Sequence, residues 1–193
     1  EKFNPSFRKR IQINKQNIVL SYNNLNKKPI VTVGVPTYKR KTLERTLKCL
    51  SKQNFKEFQV LISDNNGTSE ETINIVEKFK FKLPILYLIS QKNNIGNIGN
   101  VAYLLNCANT EFFMWLADDD EISGNYINTL YNLLLKNSDA VTAMGACKMM
   151  SSSKNGKFIS QIDNANKNKI IRICNFVAGN ADDSSFYGLH KTR

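Results

Sequence analysis

Asp118, Asp119, Asp120 and Glu121 follow directly on the apolar run 112–117 in a chain of 193 residues whose net charge is +11. Carboxylates this close repel one another, and an apolar neighbourhood raises the cost of ionising them. Such a cluster therefore persists at neutral pH by gathering a cation. A hard divalent ion, Mg²⁺ or Mn²⁺, suits the all-oxygen donor set, because these ions take one or two carboxylates and complete their shell with substrate phosphates and water. The chemistry expected is metal-assisted handling of a phosphate-bearing substrate. A solvated acidic loop, or a helix N-terminus favoured by its dipole, is the plainer alternative for the same residues.

The cluster needs a strand end to hold it, and the preceding sequence supplies one. From Pro29 onward, short β-branched runs alternate with amphipathic stretches, the pattern of a βαβ sheet. Residues 30–35 read as a buried strand closed by Pro36, and Thr42 as the cap of a helix with Leu43, Leu47 and Leu50 on one face. A second strand covers 58–63, followed by the turn Asp64-Asn65-Asn66-Gly67 and a capping box of Thr68 and Glu71 that opens a helix with Ile73, Val76 and Phe79 inward. A third strand at 85–89, a loop at 93–99 and a helix lined by Val101, Leu104, Leu105 and Ala108 lead to a fourth strand at 112–117. Ligands of open α/β sheets bind at the C-terminal strand ends, and the carboxylates lie at one. Beyond them, Tyr126, Ile127, Leu130, Leu133 and Leu134 predict a helix. Strands are expected at 140–146 and 170–174, with a hairpin within 151–159 marked by Asn155-Gly156.

Composition bounds the reading further. The length suits one domain, and the longest apolar run falls far short of the ~20 residues of a spanning helix. Residues 1–10 are too polar for a signal peptide. Cys49, Cys107, Cys147 and Cys174 are widely spaced and accompanied by a single His, which argues for free thiols in a reducing compartment rather than a zinc or redox site. The excess of 27 Lys and Arg over 16 Asp and Glu favours anionic partners. Residues 1–28 are expected to form a basic arm in which Phe7, Arg8, Lys9, Arg10 and Ile11, with Lys27 and Lys28, are either solvated or in peripheral contact with lipid headgroups. Nucleic acid is not an expected partner, since Phe and Tyr fall mostly on apolar faces instead of alternating with surface cations.

Neither G-x-G-x-x-G nor a P-loop follows the first strand. Instead come Val35-Pro36-Thr37-Tyr38, then Ser63-Asp64-Asn65-Asn66 after the second strand, Asn94-Ile95-Gly96-Asn97 with Asn100 before a helix, and Leu116-Ala117-Asp118-Asp119-Asp120 after the fourth. In this order, and with the helix of residues 42–53 ending in Leu50-Ser51-Lys52-Gln53-Asn54-Phe55, the chain resembles the inverting glycosyltransferases of family 2 over about residues 29–145.

The resemblance implies a GT-A, Rossmann-like fold: a mostly parallel α/β sheet flanked by helices, with a small antiparallel extension on the acceptor side. It divides residues 29–193 into a donor-nucleotide half at 29–120 and an acceptor half at 121–193, the latter expected to be truncated relative to the family. The donor implied is a nucleoside-diphosphate sugar, UDP-linked by preference, and the acceptor a hydroxyl of a glycan or glycolipid in bacterial surface polysaccharide synthesis, with the protein expected in the cytoplasm or at the inner face of the cytoplasmic membrane. Pro36, Thr37 and Tyr38 would meet the pyrimidine, Asp64 would accept from the uracil N–H, and Asn94, Gly96, Asn97 and Asn100 would border the nucleotide or diphosphate. Read from the residues alone, these positions are equally turn and cap residues.

Many relatives carry Asp-x-Asp-Asp where this chain has Ala117-Asp118-Asp119-Asp120, so the register shifts. Asp118 is assigned to the ribose and Asp119 to Mn²⁺ or Mg²⁺, with Asp120 a second metal ligand or turned toward the acceptor. Inversion needs a base for the acceptor hydroxyl. Asp182 and Asp183 are the candidates, or else an exposed cap pair. His190 is taken as incidental rather than as a late metal ligand. Two other functions fit parts of the pattern: a nucleotidyltransferase of similar fold, which lacks its glycine-rich first loop here, and a non-catalytic basic module binding nucleotide, nucleic acid or membrane.

Overall fold

The computed structural model describes residues 17–148, 158–159, 168, 170–171, 174 and 184–192. The elements that position the site are β1 (Ile18–Asn23), β2 (Val31–Thr37), α1 (Leu43–Ser51), β3 (Phe58–Asp64), α2 (Glu70–Glu77), β4 (Ile85–Ser90), α3 (Gly96–Cys107), β5 (Phe112–Trp115) and α4 (Tyr126–Lys136). Short strands follow: β6 (Thr142–Ala143), β7 (Cys147–Lys148), β8 (Phe158–Ile159) and, after a 3-10 turn at Ser184–Tyr187, β9 (Leu189–Lys191). Among the described residues, seven strands form one mixed sheet in the order β1-β4-β3-β2-β5-β9-β6, with β7 and β8 paired apart.

The four central strands are parallel and buried on both faces. Val31, Val33, Val35, Val60 and Ile62 on one face, and Leu61 and Phe113 on the other, are fully buried, which is why these segments read as continuous apolar runs instead of alternating ones. Helix α1 lays Leu43, Leu47 and Leu50 on the sheet, all fully buried, as the spacing predicts. On the other side, Leu104 and Cys107 of α3 pack with Leu61 and Phe113 in a smaller core. The chain steps from β2 to β3 and β4 in one direction, and α3 then carries it back to place β5 on the far side of β2. A topological switch point therefore opens between the C-terminal ends of β2 and β5.

Several local expectations are corrected. Strand β2 runs through Pro36 instead of stopping there. Even-numbered residues of β2 face β5, whose ladder ends at Gly34, so the missing N–H of Pro36 falls where no strand needs it. Thr42 occupies the N-cap of α1 without a side-chain cap bond. Ser69, not Thr68, caps α2, its hydroxyl accepting from Thr72 N–H at 3.1 Å. Helix α3 starts at Gly96, inside the expected loop, so Asn97 and Asn100 lie on its opening turns. The strand expected at 140–146 is reduced to β6. Ile170, Ile171 and Cys174 are helical where a strand was expected. The antiparallel β7–β8 pair brackets the expected hairpin, whose Asn-Gly turn is outside the described residues.

The sheet also begins earlier than the boundary at residue 29. Strand β1 pairs antiparallel with β4, and Asn24 anchors it through donation to the carbonyls of Lys80 and Leu83. Lys27 forms an ion pair with Glu57 at 2.7 Å. Residues 7–11 of the basic arm are outside the described residues. No helix among the described residues is long and apolar enough to cross a membrane, and Cys49, Cys107 and Cys174 are free thiols.

Candidate functional site

A cavity of about 480 Å³ opens at the switch point. Its floor is the end of β2, with Pro36, Thr37 and Tyr38. One wall is the start of α3 with Asn94, Gly96, Asn97, Asn100 and Val101, and the opposite wall is Trp115, Ala117, Asp118 and Asp119. The segments singled out in the sequence thus converge because β2, α3 and β5 are the three elements flanking the crossover.

Asp118 is its electrostatic centre. The residue is only 5% exposed, and Thr37 Oγ1 donates to its Oδ2 at 2.6 Å. Burial pushes its carboxyl above the ordinary range, as does neighbouring Asp119, while the Thr37 hydroxyl and Arg40 act the other way. Asp119 is half-buried. Arg40 Nη1 donates to its Oδ2 and stands 3.8 Å from Asp118 Oδ1. The cation required by the carboxylate cluster is thus supplied here by the chain itself. The acidic loop is also gripped from behind by α1: Arg45 donates to the Asp119 carbonyl and pairs with Glu121 at 3.0 Å, and Thr46 Oγ1 donates to the Asp120 carbonyl at 2.9 Å. Buried Gln53 completes the support, donating to the Ser123 carbonyl and accepting from Ile127 N–H.

The α3 wall is held by asparagines. Asn65 N–H donates to the Thr37 carbonyl, and its side chain donates to Asn94 Oδ1 at 3.0 Å and accepts from Ile95 N–H at 2.9 Å. Asn94 Oδ1 in turn accepts from Gly96 N–H, and Gly96 has φ +75°, a backbone shape that favours glycine. Asn100 donates to the Ser63 carbonyl at 3.0 Å, leaving its buried Oδ1 without a partner among the described residues.

Asp64 does not line the cavity. It is 2% exposed at the end of β3, opposite Thr37 in the register, and its Oδ1 has no partner among the described residues. Burial raises its pKa to about 6, against hydrogen bonding from Thr72 and Asn65. Asp120 is exposed and does not line the cavity either, although its carboxyl is repelled by those of Asp119 and Asp118. Asp182 and Asp183 lie outside the described residues. His190 sits in β9 against the Trp115 ring, with Nε2 3.3 Å from the Phe186 carbonyl, and is not part of the cavity lining.

Several lining residues escape the sequence reading: Arg40, Asn65, Trp115, Phe186 and Tyr187. Trp115 is the chain's only tryptophan and directly precedes the acidic loop, a signal that was available. Phe186 follows shortly on the candidate pair Asp182–Asp183, in a segment that resembles one near the acceptor in relatives, but its contact was not legible: it stacks on Trp115, centroids 4.2 Å apart and planes within 7°, from 71 residues later. Phe186 and Tyr187 thus share one cavity with lining residues between 36 and 119. Among the described residues, no three His, Cys, Asp or Glu side chains converge as a preformed metal cage.

Comparison with known proteins follows the same lines. The model of the family described as glycosyl transferase family 2 matches residues 32–180. A GalNAc(5)-diNAcBac-PP-undecaprenol beta-1,3-glucosyltransferase of Campylobacter jejuni is 35% identical over 104 residues, covering 53% of this chain and 33% of that protein. The chain spans about a third of the length of the curated relatives it matches. Among solved structures, S. aureus TarS is similar with a TM-score of 0.62 at 25% identity, over 86% of this chain and 28% of TarS. TarS residues 1–349 have also been solved with UDP-GlcNAc, with a TM-score of 0.59 at 23% identity over 86% of this chain and 46% of that one. The mannosyltransferase PcManGT of Pyrobaculum calidifontis, solved with GDP-Man and Mn²⁺, shares the fold with a TM-score of 0.53 at 20% identity, over 70% of this chain and 40% of that one.

Proposed function

Because the chain belongs to glycosyl transferase family 2, we propose that its cavity binds a nucleoside-diphosphate sugar, UDP-linked by preference, and supports inverting transfer of the sugar to a hydroxyl of a lipid-linked or surface glycan. The observation that carries this reading is the pairing of Thr37 with buried Asp118 at the β2/β5 switch point, within one cavity that also holds Tyr38, Asn97, Asn100 and Asp119.

In this reading Tyr38, 42% exposed, offers its ring to the pyrimidine, while Asp64, buried outside the cavity lining, makes no contact with the base. Ionised Asp118, oriented by Thr37, accepts from the ribose hydroxyls. Asn97 and the opening turn of α3 face the diphosphate, whose charge suits a helix N-terminus. Asp119 and the donor diphosphate fit a divalent ion. The carboxylate is half-exposed, lies beside a second one and offers hard oxygen donors, and one or two such groups suffice when phosphates complete the shell. Mn²⁺ or Mg²⁺ bound there supplies charge stabilisation for the leaving diphosphate. Asp183 or Asp182 deprotonates the acceptor hydroxyl.

The donor preference agrees with the UDP-GlcNAc bound by TarS, and the acceptor class with the undecaprenol-linked substrate in the name of the Campylobacter relative. Such an acceptor puts the working protein at a membrane surface. Thermal-shift and calorimetric titration with UDP, GDP, dTDP and CMP, with and without Mn²⁺, tests the proposal. A ligand at a hundred times its Kd adds about 2.7 kcal/mol of stability. Metal-promoted binding of UDP is expected, and no binding of any nucleotide would refute it.

A further inference from the structure

Arg40 stands where an incoming cation would be wanted. Its Nη1 bonds Asp119 Oδ2 and lies 3.8 Å from Asp118 Oδ1, so one positive group sits between the two carboxylates. The backbone is shaped to put it there. Lys39 adopts φ +53°, uncommon for a side chain with a Cβ, and its ammonium lies over the Tyr38 ring, 5.3 Å from the centroid, while Arg40 turns into the cavity. The Arg40 side chain is nevertheless 54% exposed, and exposed ion pairs are weakly held. The shape of the acidic loop does not depend on it, because Arg45 and Thr46 hold the carbonyls of Asp119 and Asp120 from α1.

We propose that Arg40 is an exchangeable counter-ion: it occupies the carboxylate pair before the donor binds, and moves to the donor diphosphate when a divalent cation takes its place on Asp119. The inference rests on the reading of Asp119 as that cation's ligand. The guanidinium suits the exchange, since its planar fork bonds phosphate oxygens in pairs as readily as a carboxylate. The exchange makes metal and nucleotide binding mutually dependent. The diphosphate draws Arg40 off Asp119 and so opens the metal position, and the metal releases Arg40 to the diphosphate, with equal coupling in both directions.

The test is binding of Mn²⁺ alone, of UDP alone and of the two together to the whole chain, by calorimetry and by the spin-resonance signal of free Mn²⁺, for wild type, Arg40→Gln, Arg40→Lys and Asp119→Ala. Without nucleotide, Arg40→Gln is expected to bind Mn²⁺ about threefold to tenfold tighter, because a competing cation is gone. Without metal, it is expected to bind UDP about tenfold more weakly, because a charge-assisted bond is lost. Arg40→Lys keeps the charge without the planar fork, so Mn²⁺ affinity should return toward wild type while metal-free UDP affinity stays low. Unchanged or weaker Mn²⁺ binding by Arg40→Gln, in a protein that still binds Mn²⁺ with UDP through Asp119, overturns the exchange and leaves the proposed function standing. Failure of wild type to bind Mn²⁺ even with UDP overturns the exchange together with the reading of Asp119 as a metal ligand.

Discussion

Asp64 shows how a single buried carboxylate makes stability depend on pH. Its pKa stands at about 6 in the folded protein against 3.8 when solvated, so between those values the unfolded chain loses its proton while the folded one keeps it. The unfolded state then binds fewer protons, and stability falls as pH rises from about 4 to 6 before levelling off, a loss of about 3 kcal/mol from this group. Asp118, raised mainly by burial, adds in the same direction. Asp64→Asn should flatten that decline, as urea denaturation at several pH values would reveal. At Asp119 the prediction differs: Asp119→Ala loses a half-exposed ion pair, so apo stability should change by less than about 1 kcal/mol while Mn²⁺-dependent UDP binding disappears. Calorimetry that finds the metal effect intact would contradict it. At this scale the sequence was informative where residues are adjacent in the chain, as in Asp118-Asp119, and silent on Arg40, whose role depends on the left-handed turn at Lys39.

The elements owe their arrangement to close approach as much as to pattern. A Cβ on Gly34 would meet Phe113 Cζ at 2.8 Å and Leu104 Cβ at 3.2 Å, so this glycine lets β2, β5 and α3 come together under the site. Gly34→Ala should cost about 1–3 kcal/mol in a denaturant titration, since Phe113 and Leu104 are fully buried and have little room to yield. Because α3 would be displaced with them, UDP affinity should fall although no ligand contact is removed. Helices α1 and α4 and the parallel strands were legible because their apolar periodicity is long and regular. Strand β9 was not, as three residues carry no period and gain meaning only from pairing with β5 and β6. Strand β1 was hidden for a related reason: its alternating half-buried residues make an edge strand within a polar arm.

For the molecule as a whole, the edge position of β1 gives residues 18–23 a place in the sheet. Deleting them should uncover the β4 edge and lower the melting temperature, with aggregation through the bared strand, whereas a dispensable arm would leave it unchanged. The net charge of +11 should make nucleotide binding moderately salt-sensitive through long-range attraction. A steep loss of affinity for RNA or DNA with salt, and none of the Mn²⁺ dependence of UDP binding, would instead favour a nucleic-acid-binding module.

The stacking of Phe186 on Trp115, and the insertion of β9 between β5 and β6, bear on how the protein is made. The parallel strands are all synthesised by residue 115, yet the wall of the cavity and the next strand of the sheet arrive more than seventy residues later. On the ribosome, the nascent chain would present β5 as a bare edge beside an incomplete pocket until residue 191 emerges, the stage at which it is most exposed to chaperones and to mispairing with a neighbouring polysome product.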